Sequence, residues 1–208
     1  MKGRPLRGSD EPLTGRDESN SRDLRSSPEP LTFDVFEHDA DHAYAAFQSV
    51  AIHMWRGTMR EHHPAQARDR WAQLRTTAGT FGVLVVILPS APPPPGHLRN
   101  SVMQAYHTFA GSIGGVGTVL EDQGVRGAAA EMVMTAIMLM SKPPYAYRND
   151  TNLDATAEWL ARRLPKGPDG PLLARAVQQL RARYAVVCES SYRETLILSR
   201  APTSLRPR

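Results

Sequence analysis

Two features of this chain carry residue types that could do chemistry: its seven histidines, and the run GSIGGVG spanning Gly111 to Gly117. Histidines with carboxylates or cysteines at helical spacing would ligate a transition metal. Here His38 and His42 are separated by Asp39 and Asp41, which read as a turn, and His62 and His63 are adjacent, so their side chains are expected to diverge. With no HExxH and no Cys/His spacing, no metal is expected; a site could only be assembled across the fold, as by His53 with His62 or His63. Glycine runs cradle phosphate when a strand precedes them and a helix N-terminus follows. In this chain an apolar helical stripe precedes Gly111 and a strand pattern follows Gly117, without a Lys-Ser or Lys-Thr pair. The run therefore reads as a link between helix and strand, with positive backbone angles at Gly114 or Gly115, and no cofactor is expected.

Other polar and sulfur-bearing residues divide between bland and functional readings. His53 and Trp55 share one face of a predicted strand. They belong either to a pocket or partner surface, or to a core edge where a backbone carbonyl satisfies the histidine. Cys188 stands alone, which excludes an internal disulfide, and no histidine motif near it suggests a nucleophile. Adjacent Glu121 and Asp122 point apart at a strand end, unsuited to shared acid–base work. Met132, Met134, Met138 and Met140 line a predicted helix that forms either core or an adaptable apolar cavity.

The elements that must position these residues follow from periodicity. Residues 1–30 are charged, Pro- and Ser-rich and without apolar period, hence expected to be disordered. A short strand is predicted at Phe33–Phe36. "YAAFQSVAIHMWRG" reads as a second strand, with Val50, Ile52 and Met54 on one face and Ala51, His53 and Trp55 on the other. Pro64 opens a helix carrying Ala67, Trp71, Leu74 and Ala78, ended by Gly79. "FGVLVVIL" is β-branched and uncharged, a strand buried on both faces. Pro89 and Pro92–Pro95 stop it. Leu98, Val102, Tyr106 and Phe109 mark the next helix, "GTVLE" a strand, residues 126–140 an apolar helix, "YAYRND" a last strand and "TNLDATAEWLARRL" a closing helix capped by Asn152 or Asp154. "KGPDGP" reads as a linker to a basic helix from Leu172 to about Tyr184. "YAVVCES" and "ETLILS" remain either strand or irregular chain.

The expected fold is thus α/β, a single mixed sheet of about five strands with about four helices in the order ββαβαβαβα. Domain organisation reads as an N-terminal segment (1–30), an α/β domain (31–165) and a basic C-terminal extension (166–208). The order resembles the STAS fold, named for anti-sigma-factor antagonists, and especially its SpoIIAA-like members. The opening hairpin ending in "MWRG", the central "FGVLVVIL" and the closing "LDATAEWL" carry the resemblance, over about two thirds of the chain. It implies a non-enzymatic regulatory domain, without catalytic residues, that docks a protein partner. Phosphoswitch members carry a serine after an aspartate behind the central strand. Here Ser90 follows Pro89, so it reads as an ordinary loop residue within a partner surface made of the Pro-rich loop Ser90–Gly96, Arg99 and His107. SpoIIAA-like domains are also similar to Sec14-type lipid modules, so the alternative is a small-molecule or lipid carrier holding an apolar ligand.

Charge distribution bounds the partners further. Residues 1–30 carry six basic and six acidic side chains, 31–160 nine and twelve, and 161–208 ten and three, which sums to the net +4. The folded centre is mildly acidic, so no nucleic-acid footprint is expected. The basic end suits anionic partners, a membrane surface, or solvation alone. No apolar stretch reaches bilayer length and no leader pattern opens the chain, so no transmembrane segment is expected and the location is read as cytoplasmic.

Overall fold

The computed structural model describes residues 30–89, 91–121, 128, 131–133, 135–136 and 143–199, with side chains to residue 186. Residues 31–208 make up one of two units of the chain. Six strands form one mixed sheet, ordered as they occur in sequence: β1 (Val35–His38), β2 (His42–Phe47), β3 (Val50–Trp55), β4 (Phe81–Ile87), β5 (Ile113–Leu120) and β6 (Ala146–Asp150). β1, β2 and β3 pair antiparallel, and β3 to β6 run parallel. Helix α1 (His62–Ala78) links β3 to β4 and α2 (Gly96–Thr108) links β4 to β5. Residues 128, 131–133 and 135–136 are helical too, and α3 (Leu153–Ala161) and α4 (Gly170–Ser199) follow β6.

Alternation along the strands builds two cores. Tyr44, Ala51, Val83, Val85 and Val116 face Trp71 and Leu74 of α1 and Ala105, Tyr106 and Phe109 around α2. Ala45, Ile52, Met54, Leu84, Val86 and Val119 face Ala157 and Leu160 of α3 and Leu173, Val177 and Leu180 of α4. Every residue of β4 is buried, as its unbroken apolar run requires. Gly79 ends α1 with φ 74. The Asn152 side chain accepts the Ala155 N–H at 3.0 Å and caps α3.

Four expectations are corrected. "YAAFQSVAIHMWRG" is a hairpin, not one strand: Phe47 pairs with Val50 across Gln48 and Ser49, and Gln48 supplies the positive φ (51) that the two-residue turn needs. The sheet accordingly has six strands rather than about five. Strand β5 begins at Ile113, so Gly114 and Gly115 lie inside it with Gly117 rather than in a link before it, and none of the three has a positive φ. Helix α3 crosses there so closely that a Cβ on Gly117 would sit 2.6 Å from Thr156 Cγ2. Lastly, residues read as a C-terminal extension contribute Leu173, Ala176, Val177, Leu180 and Tyr184 to the second core. "KGPDGP" leads directly into α4, whose first turn is capped by Asp169 Oδ1 accepting the Leu172 N–H at 2.7 Å.

Candidate functional site

The hairpin register sets the site. β2 and β3 pair His42 with Trp55 and Tyr44 with His53, and these four rings stand on the sheet face that α1 covers. His42 stacks on Trp55 with ring centroids 4.0 Å apart. Helix α1 adds His62 and His63 at its start and Trp71 two turns on. The tight turn before β2 adds Asp39, whose Oδ1 accepts the backbone N–H of Asp41 and of His42, each at 2.8 Å.

Hydrogen bonds fix the imidazole protons. The Trp71 indole can only donate, and its Nε1–H meets His53 Nε2 at 3.1 Å. His53 therefore accepts at Nε2, carries its proton on Nδ1 and donates to His42 Nε2 at 3.1 Å. Burial, with a further push from His63, lowers the His53 ring to about 3. Burial, reinforced by His53 and His63, also holds His42 well below the ordinary histidine value. His63 Nδ1 accepts the Arg60 backbone N–H at 2.9 Å, so its proton is on Nε2 and is donated to Asp39 Oδ2 at 2.7 Å. This is a hydrogen bond from a neutral ring. Burial shifts His63 downward despite the carboxylate. For Asp39, burial would raise the carboxyl, but hydrogen bonds from His63, Asp41 and His42 outweigh it and hold the group well below its usual range.

Two cavities flank this network. An apolar one of about 70 Å³ opens at the carboxyl ends of β3 and β4, between Trp55, Met59, Trp71, Val102 and Tyr106, beneath Pro92–Pro94. The carboxyl ends of parallel strands are where open α/β sheets present ligands. A polar cavity of about 160 Å³ lies between the β1–β2 turn and α1, lined by Glu37, Asp39, His42, Tyr44, His62 and Arg70. His53 borders both. Its two nitrogens are taken by Trp71 and His42, and those of His63 by Arg60 and Asp39, so neither ring offers the apolar cavity a free donor or acceptor.

The residues singled out in sequence scatter. His53 and Trp55 come together, though side chains rather than a backbone carbonyl satisfy His53. Arg99 and His107 lie on the exposed face of α2, outside the lining of either cavity. Arg99 touches the rim through Nε–H donation to the Pro94 carbonyl at 3.3 Å. Ser90 lies outside the described residues, as do Met134, Met138, Met140, Asp122 and the Cys188 side chain. Met132 is exposed. Glu121 pairs with Arg181 of α4 instead of a neighbouring acid. His62 and His63, expected to diverge, converge on Asp39 Oδ2, at 3.4 and 2.7 Å, because the ends of the turn and of α1 abut. His42, Asp39 and Trp71 were not recognisable as site residues. The only signal was that the turn and the helix start both carry histidine beside carboxylate.

Comparison with protein-family models, curated proteins and solved structures finds no match for this chain. No helix among the described residues is long and apolar enough to cross a membrane.

Proposed function

We propose that the chain is a non-enzymatic interaction domain of STAS-like type, acting in the cytoplasm, that docks a protein partner by receiving one apolar side chain beneath Pro92–Pro94. The observation carrying this reading is the apolar cavity, whose two lining histidines spend all their ring nitrogens on Trp71, His42, Arg60 and Asp39. Its lining is predominantly apolar and offers a guest dispersion contacts and desolvation, which suits an aliphatic anchor. Its size argues against the carrier alternative: about 70 Å³ is less than half of the roughly 150 Å³ that accommodates benzene. An acyl chain is far larger. Anchors of this kind, desolvated in a pocket and ringed by weaker contacts, dominate many interfaces. The strand–helix order that resembles STAS domains supports a regulatory role.

The test fills the pocket. Ala67→Leu on α1 places an aliphatic side chain where the anchor would sit. With folding checked by circular dichroism, it should abolish recovery of the partner that wild-type protein retrieves, and Arg99→Glu at the rim should weaken it. Unchanged recovery by Ala67→Leu rejects the pocket. Lipid co-purifying in native mass spectrometry would instead favour the carrier.

A further inference from the structure

The convergence of His62 and His63 on Asp39 is not needed for apolar docking, yet it sets three donor atoms around one point. Asp39 Oδ2, His62 Nε2 and His63 Nε2 all lie within 4.8 Å of one another. We propose that these three side chains form a binding site for a divalent transition ion of the zinc type, open on its remaining side to the polar cavity.

Bond lengths favour this. Ligands about 2.05 Å from a tetrahedral zinc stand about 3.3 Å apart. The Asp39–His62 separation is already 3.4 Å, and the Asp39–His63 separation must open only from 2.7 Å. Two imidazoles and a carboxylate select zinc, cobalt or nickel over magnesium and calcium, which prefer all-oxygen shells. The carboxylate is also pre-oriented, because the Asp41 and His42 N–H groups hold Oδ1 and leave Oδ2 facing the histidines. The exposed Arg60 is paired with Asp41 at 2.6 Å.

A second observation points to a guest in the same place. The Tyr44 hydroxyl is buried, lines the polar cavity, and has no hydrogen-bond partner among the described residues. Leaving such a group unsatisfied is costly. An ion at Asp39 brings bound water into that cavity, whose volume of about 160 Å³ has room for it.

Loading has a defined proton balance. The ion displaces the proton on His63 Nε2, the imidazole then holds its proton on Nδ1, and the Arg60 N–H must release that nitrogen. Arg60 lies exposed in the loop before α1, so water can take over its N–H. The neutral ring keeps its one proton, which moves from Nε2 to Nδ1, so this exchange releases none to the buffer.

The test uses the full chain dialysed against chelator, titrated calorimetrically with zinc chloride and followed with cobalt chloride by visible absorption. Expected are one ion per chain, a cobalt d–d band of low-coordinate type, a shift of the Arg60 amide resonance, and no binding of magnesium or calcium. His62→Ala, at an exposed side chain, should keep the fold and weaken zinc at least tenfold. Asp39→Asn should weaken it further. Absence of one-to-one binding at 1 mM zinc overturns the proposal, as does zinc binding that both variants leave unchanged.

Discussion

Replacing Gly117 by alanine tests how closely α3 is seated on the sheet. A Cβ there would stand 2.6 Å from Thr156 Cγ2 and 3.4 Å from Leu84 Cδ1. Thr156 is fully buried and its Oγ1–H donates to the Asn152 carbonyl at 2.9 Å, so its methyl cannot simply rotate away. Overpacking of this kind costs about 1–3 kcal/mol. Loss of glycine freedom in the unfolded chain returns about 0.4–1 kcal/mol, leaving a net loss of about 1–2 kcal/mol. For a chain of this length that lowers the melting temperature by roughly 3–6 °C. Thr156→Ser removes the opposing methyl, keeps the hydroxyl and should cost about 1 kcal/mol alone. In the double variant the alanine methyl occupies the vacated volume, so the two losses should fall short of additivity by about 1 kcal/mol or more. Gly111→Ala is the control: nothing lies within 4 Å of its added Cβ, its φ is not positive, and stability should rise by about 0.4–1 kcal/mol. Urea unfolding of the four variants measures all of this. A neutral or stabilising Gly117→Ala, or strict additivity with Thr156→Ser, would refute the close-approach account of these glycines.

Acid should destabilise the protein early. His42, His53 and His63 are all lowered in the folded state, so below about pH 6.5 the unfolded chain binds protons that the folded chain refuses. Stability, measured with chelator present, should fall as pH drops from 7 to 5, by up to about 1.4 kcal/mol per pH unit for each histidine; a flat profile contradicts the neutral network. Trp71→Phe removes the donor to a buried acceptor and should cost about 2–4 kcal/mol, with the His53 resonance titrating at higher pH than in wild type. Asn152→Ala should cost about 1 kcal/mol through the lost cap of α3, read in the same unfolding assay.

The strands and helices that depend on local periodicity were legible: β4 from its uninterrupted β-branched run, α1 from Ala67, Trp71 and Leu74, α3 from its capping asparagine. What escaped depends on pairing. Gln48-Ser49 carries none of the glycine, asparagine or aspartate that usually marks a two-residue hairpin, so β2 and β3 merged into one strand. With the hairpin unseen, nothing placed His42 opposite Trp55 or Tyr44 opposite His53. The glycines of β5 suggested a turn because their use is set by Thr156, Leu160 and Arg163, which lie far along the chain. Similarly, α4 reads as a basic surface helix until Leu173, Val177 and Leu180 meet a sheet face whose existence no local window reveals.

The indole of Trp71 faces the apolar cavity, yet it governs the polar one. An indole has no lone pair to offer, so its bond to His53 can run in one direction only, and every tautomer downstream follows. His53 must give its proton to His42 Nε2, and neutral His42 is left with its own hydrogen on Nδ1. His42, which lines the polar cavity, therefore has a donor rather than an acceptor at its second nitrogen. A tryptophan in the wall of one compartment thus dictates the hydrogen-bonding sign of its neighbour. Any residue at position 71 lacking an N–H would allow the relay to reverse and turn that donor into an acceptor.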